Sequence, residues 1–254
     1  MEKRHNLGKP ANLDKVLGKT RNRVFRVGVE LEGGWGALPK GARLLRDGSI
    51  HFSDEEIGRG IRNVGELTSP PLAVSEKEAI STLYYPTWMQ HSYPQFVNGS
   101  CGLHVHMSFK SALTYQRLMT SQFPATVLAY MGRWARNEGL GETHGIWPRL
   151  MGKNEYCQHT FYADDQVTRV DKDYDHFRVG NRYSVIVYPW SRHQTVECRL
   201  LPMMENCELA IRAVKALLDV TNAFLVVTAK REEAIKGEYR ADEEKLSEEK
   251  RIIV

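Results

Sequence analysis

Residues 102–109, GLHVHMSF, alternate cleanly between apolar and polar side chains. Leu103, Val105, Met107 and Phe109 fall on one face of an extended chain, and His104, His106 and Ser108 fall on the other. Such a pattern demands a strand with one face on a core, and it sets two imidazoles on the opposite face.

Other segments carry weaker forms of the same pattern. Residues 23–32 (RVFRVGVELE) are β-like and stop at Gly33-Gly34, with Glu30 and Glu32 two apart and therefore on one face. A strand is predicted over 61–67, with Glu66 inside it and Ser69-Pro70-Pro71 ending it. Two more are predicted over 182–188 and 194–201, the last with Glu197 and Arg199 on a shared face. Asp47-Gly48-Ser49 is a turn signal, followed by short β-like residues Ile50, His51 and Phe52.

Helices are predicted between these strands. One begins at Ser75, where Ser75 and Glu78 have capping-box spacing, and runs to about Tyr85, before Pro86. A second covers 113–137, with Pro124 expected to break or kink it. A third, over 209–230, has Ile211, Val214, Leu217, Leu218, Val220 and Leu225 on or near one stripe. Residues 1–22 read as a loose polar arm, and 231–254 as a charged tail, either a solvated helix or a frayed end. Between them lies one catalytic domain, 23–230, interrupted by a polar insertion at about 138–180. The fold class is α+β with an antiparallel sheet.

Composition narrows the functional classes. The chain has 254 residues, 42% hydrophobic and 26% charged, as in a soluble globular protein. A net charge of +4, from 35 basic and 31 acidic residues, suits an anionic substrate such as a nucleotide. No basic run with interleaved aromatics exists, which argues against nucleic acid, and no long apolar stretch exists to span a membrane. Cys101, Cys157, Cys198 and Cys207 form no C-x-x-C pair, so a reducing cytoplasm is the expected compartment.

If the polar faces of these strands coincide, Glu30, Glu32, Glu66 and Glu197 converge with His104 and His106. Four carboxylates at close range repel by several kcal/mol, of order, even at an effective dielectric near 20, so cations must offset them. Hard oxygen ligands with one or two imidazoles suit Mg²⁺ or Mn²⁺. Blander readings exist for each piece. E-x-E could be a solvated face, Glu66 a rim charge, and Glu197-x-Arg199 a cross-strand ion pair. His104 and His106 could bind zinc with Cys101 or Cys157, and Cys157 could be a nucleophile beside His159.

The ordered set Glu30-x-Glu32, Gly65-Glu66, residues 98–108 (NGSCGLHVHMS), residues 181–184 (NRYS) and residues 197–200 (ECRL) resembles the glutamine-synthetase-like carboxylate–amine ligase superfamily. Within it, GVELE, ELTSP and CGLHVH look most like the amidoligase family, and the motifs are collinear from about residue 24 to 226. The resemblance implies a curved antiparallel sheet with helices packed on one face, as in the catalytic domain of glutamine synthetase. It implies an ATP- and Mg²⁺-dependent (or Mn²⁺-dependent) ligase that joins a small-molecule or peptide carboxylate to an amine through an acyl phosphate. Alternatives are a guanidino-kinase-like phosphotransferase of the same fold and a non-catalytic binding protein that retains the fold.

By the same resemblance, Glu30, His104 and Glu197 hold one cation on the nucleotide phosphates, and Glu32 and Glu66 hold a second on the acceptor side. His106 and Ser108 contact the nucleotide, Arg182 and Arg199 bind phosphate or the acyl phosphate, and Asn98 and Gly99 line the carboxylate pocket. Asp47, in a DGS turn that recurs at this place in amidoligases, is the candidate proton acceptor. The chain departs from glutamine synthetase in being far shorter, in having Cys101 inserted, and in having Val187 where a second arginine is expected, with Arg192 as a substitute. The ring oligomer of the synthetases is therefore not implied.

Overall fold

The structure is a computed structural model that describes residues 24–110, 112–159, 184–188 and 195–252. The expected arm at 1–22 lies outside the described residues, as do residues 160–180 of the expected insertion, Arg182 at the start of the strand expected over 182–188, and Arg192.

The alternating segment forms β3 (Gly102–Ser108), flanked by β1 (Arg26–Trp35), β2 (Asn63–Thr68), β4 (Ile186–Val187) and β5 (Val196–Pro202). These strands make one open antiparallel sheet in the order β2-β1-β3-β5-β4. The α+β class with an antiparallel sheet is therefore as expected. β3 is central and buried on both sides. Its apolar face belongs to the core, with Val27, Val29 and Leu31 of β1 and Cys198 of β5.

Helices complete the core. They are α1 (Asp54–Gly58), α2 (Tyr85–Ser92), α3 (Ala112–Leu118), α4 (Gln122–Asn137), α5 (Ile146–Leu150) and α6 (Cys207–Ile252). The predicted stripe on α6 buries Val214, Leu217, Leu218, Val220 and Leu225, and Thr221 Oγ1 lies 3.4 Å from Met107 Sδ on the apolar side of β3. The helix does not stop near 230 but continues through the charged tail. No described helix is long and apolar enough to cross a membrane.

Several local expectations are corrected. Ser75 makes no side-chain cap; a short 3₁₀ helix, Glu76–Ser81, follows it, and the next α-helix begins at Tyr85 with Pro86 in its first turn. Proline suits that place because the amide it lacks has no helical partner there. The capping box actually formed is Ser53 with Glu56, which opens α1. Ile50, His51 and Phe52 form no strand. The helix predicted over 113–137 is two helices whose break precedes Pro124, leaving that proline in the first turn of α4. Residues 138–159 are not a structureless insertion either, since α5 lies within them and packs on β5.

Candidate metal centre

Strand register assembles the polar face. Glu30 pairs with His104, Glu32 with Glu66, and His106 with Glu197, so four strands deliver their ionisable side chains to one place. The register shifts between Leu103 and Val105, which puts two β5 residues, Arg199 and Leu200, opposite His104. Glu32, His104, His106 and Glu197 are all buried.

The side chains fall into two groups. In the first, ligand atoms of Glu30, His104 and Glu197 all lie within 4.8 Å of one another. His104 Nδ1 is 3.1 Å from Glu30 Oε2 and 3.9 Å from Glu197 Oε1. His106 Nε2 is 2.9 Å from Glu30 Oε1, and its Nδ1 is 3.1 Å from Thr195 Oγ1. Arg199 Nη1 donates to Glu197 Oε1 at 2.6 Å. In the second group, Glu32, Asp47 and Glu66 meet the same 4.8 Å criterion. Oxygen ligands at about 2.1 Å from an octahedral ion stand roughly 3–4 Å apart, so either group closes on a cation with small side-chain adjustments.

Backbone geometry explains how Asp47 arrives. Leu45 exchanges two backbone hydrogen bonds with Glu66, at 2.8 and 2.9 Å, which lays the preceding loop along the free edge of β2. Only glycine at position 65 permits this approach, because a β-carbon there would collide with the Leu45 carbonyl oxygen. Ser49 donates its amide and hydroxyl to Asp47 Oδ1, at 2.8 and 2.7 Å, and so fixes the carboxylate. Gly102 plays a similar part between the groups. Its amide donates to Glu32 Oε2 at 2.5 Å, while an added β-carbon would lie 2.7 Å from His104 Nε2 and 3.1 Å from Glu32 Oε2.

The two groups differ electrostatically. Burial opposes ionisation of Glu30, but the His106 charge and hydrogen bonds from His104 and His106 outweigh it and hold the carboxyl well below its usual range. Burial likewise opposes ionisation of Glu197, and His106 with Arg199 overcomes it. Burial lowers the His106 imidazole, yet Glu30 and Glu197 raise it further, to about 9. Burial works against Asp47 too, and the Ser49 hydrogen bonds prevail. For Glu66 everything points one way: burial, then Glu30, Glu32 and Asp47, push it up to about 8. Without a cation the face holds more carboxylate than its own imidazoles and Arg199 offset. This excess and the oxygen-rich ligand set fit a hard divalent ion.

Other expected site residues fare differently. Ser108 is fully buried, with its hydroxyl on the Arg26 carbonyl, so no exposed atom remains for a nucleotide. The Asn98 side chain is held by local hydrogen bonds. Its amide donates to the His51 carbonyl at 2.7 Å and to Glu56 at 3.1 Å, and its oxygen accepts from Ser100, tying residues 98–101 to α1. Gly99 sits in that tied loop. Neither candidate group contains a cysteine. All four thiols are free, and Cys157 is fully buried, with burial pushing its thiol up to about 11, the setting of an unreactive cysteine. Thr195, behind His106, and Arg149, buried on α5 with Nη1 on the Arg199 carbonyl at 2.9 Å, carry no sequence motif that points to them.

Comparisons with family models, with curated proteins and with solved structures find no match for this chain. Fold and site together define a class: an α+β protein whose open antiparallel sheet carries a buried carboxylate–imidazole cluster able to hold metal.

Proposed function

We propose that the protein is an ATP-dependent carboxylate–amine ligase of the amidoligase type, with a glutamine-synthetase-like fold, acting in the cytoplasm on a small-molecule or peptide carboxylate and an amine. The observation that carries this reading is the pairing of two three-residue ligand groups on one sheet face, with Arg199 beside them. A carboxylate is a poor electrophile. In the proposed reaction its oxygen attacks the γ-phosphorus of ATP, ADP leaves, the amine nitrogen attacks the acyl carbon, and phosphate departs as the amine proton passes to solvent. Phosphoryl transfer asks the protein mainly for positioning and charge neutralisation.

Mg²⁺ or Mn²⁺, held by Glu30, His104 and Glu197 and by Glu32, Asp47 and Glu66, would supply most of that neutralisation. Asp47 suits a ligand role better than that of proton acceptor, because its neighbours are carboxylates and Ser49 holds it ionised. Arg199 contributes a permanent cation, oriented by Glu197. Gly102 keeps the space between the two groups clear and steadies Glu32.

The test is incubation with Mg-ATP and a panel of carboxylates and amines. The expected result is ADP with a product lighter by one water than the summed substrates, lost in Glu32→Gln and Glu197→Gln. ADP with a stable phosphorylated product would favour a phosphotransferase. No nucleotide binding by the wild type, with both variants indistinguishable from it, would sink both enzyme readings.

A further inference from the structure

The two imidazoles of β3 are not equivalent. Both touch Glu30, but on different oxygens and with different groups behind them. An ionised carboxylate only accepts hydrogen bonds. His106 Nε2, 2.9 Å from Glu30 Oε1, therefore carries its hydrogen and has no lone pair to offer a cation. Its other nitrogen is turned to the fully buried hydroxyl of Thr195. His106 is thus committed at both nitrogens and shut away from any bound nucleotide. His104 is placed otherwise. Its Nδ1 stands 3.1 Å from Glu30 Oε2 and 3.9 Å from Glu197 Oε1, inside the ligand group that does not include His106; a cation there takes the place of the hydrogen that Nδ1 gives Glu30, and Nε2, 3.5 Å from Glu32 Oε1, carries the ring hydrogen instead.

We propose that His106, backed by Thr195, is a positioning residue that holds Glu30 in place as a cation ligand, and that His104 alone of the pair ligates. This rests on the two-cation reading above. One oxygen of Glu30 stays on His106, and the other, Oε2, is left to the cation with His104 Nδ1. Hydrogen bonds to ligating groups set their orientation, and losing one typically weakens metal binding about 10–100-fold.

The experiment is a Mn²⁺ titration of the full chain without nucleotide, following free Mn²⁺ by electron paramagnetic resonance. The wild type is expected to bind two ions. His106→Ala should weaken one site about 10–100-fold and leave the other unchanged, a pattern that general loosening of the fold would not produce. His106→Gln, whose amide can still donate to Glu30, should recover most of the loss. Thr195→Val, of the same shape without the hydroxyl, should weaken the same site less than His106→Ala does, and His104→Ala should abolish it. Unchanged affinity at both sites in His106→Ala overturns the proposal, as does His106→Gln behaving like His104→Ala, which would make His106 a ligand. If His106→Ala does not fold, Thr195→Val decides, and wild-type affinity there overturns the proposal. A wild type that binds no Mn²⁺ overturns the two-cation reading and this proposal with it, whereas two bound ions insensitive to His106 overturn this proposal alone.

Discussion

Around Glu30 and Glu197, the protein supplies its own positive partners: His104, His106 and Arg199 all stand within 4.0 Å of one carboxylate or the other. Around Glu66 it supplies none, since no basic side chain among the described residues pairs with that carboxylate. One group has its charges offset by the fold; in the other, only Glu32 has a basic neighbour, His104 at 3.5 Å. The lowered Glu30 and Glu197 and the raised Glu66 are the two sides of that difference. The lesson is that the first group has its counter-charges built into the fold, while the second concentrates carboxylates whose repulsion a bound cation would offset.

The sharpest way to break the comparison is to remove one carboxylate from each side. Glu197→Gln leaves Arg199 without its buried counter-charge and His106 with Glu30 alone, and should cost about 3 kcal/mol, roughly a 6–12 °C fall in melting temperature. Glu66→Gln mimics the protonated carboxyl, so it should match the metal-free wild type near pH 4 and be more stable than it at pH 7, where the unfolded chain ionises Glu66 and the fold does not. Calorimetry of both variants checks this, and equal losses would erase the distinction.

A second pair of variants acts through backbone space. Gly102→Ala crowds both His104 and Glu32, so Mn²⁺ affinity should fall about 10–100-fold at both sites. Gly65→Ala pushes the Leu45 loop and Asp47 away from β2, so only the site of Glu32 and Glu66 should weaken. Isothermal titration with Mn²⁺ separates the two outcomes.

The effect of pH is smaller and equally specific. A cation at Glu66 must displace its proton, so affinity at that site should drop about tenfold per pH unit below about 8. The carboxylates of the other site are already ionised across pH 6–8 and should show no such slope.

The metal-free fold has a pH dependence of its own. Glu66 is raised from 4.5 to about 8, and His106 from 6.5 to about 9. In each window the folded state binds more protons than the unfolded one. The stability these groups contribute is complete below the unfolded values and is lost as pH rises through the folded ones. Melting temperature without metal should therefore decline from about pH 5 to pH 9, and added Mn²⁺ should reverse the trend.

How much of this was legible beforehand follows from what each feature depends on. The faces of β1 and β3 were readable because side chains alternate strictly along a strand, so GVELE and GLHVHMS announce their own geometry. The core stripe of α6 was readable for the same reason at helical period. Capping was misread because Ser75-x-x-Glu78 and Ser53-x-x-Glu56 are the same local pattern, and only the chain around them decides which one closes.

By itself, then, the sequence determined which residues could share a face, since that rests on backbone periodicity alone. Tertiary structure decided which faces meet and what stands behind each side chain. Asp47 reaches Glu66 only through a glycine-permitted pairing of Leu45 with β2. Arg199 and Leu200 stand together opposite His104 only because β5 bulges. His106 is backed by Thr195, 89 residues away, through the pairing of β3 with β5. Such contacts depend on distances between segments far apart in the chain, and no local pattern records them.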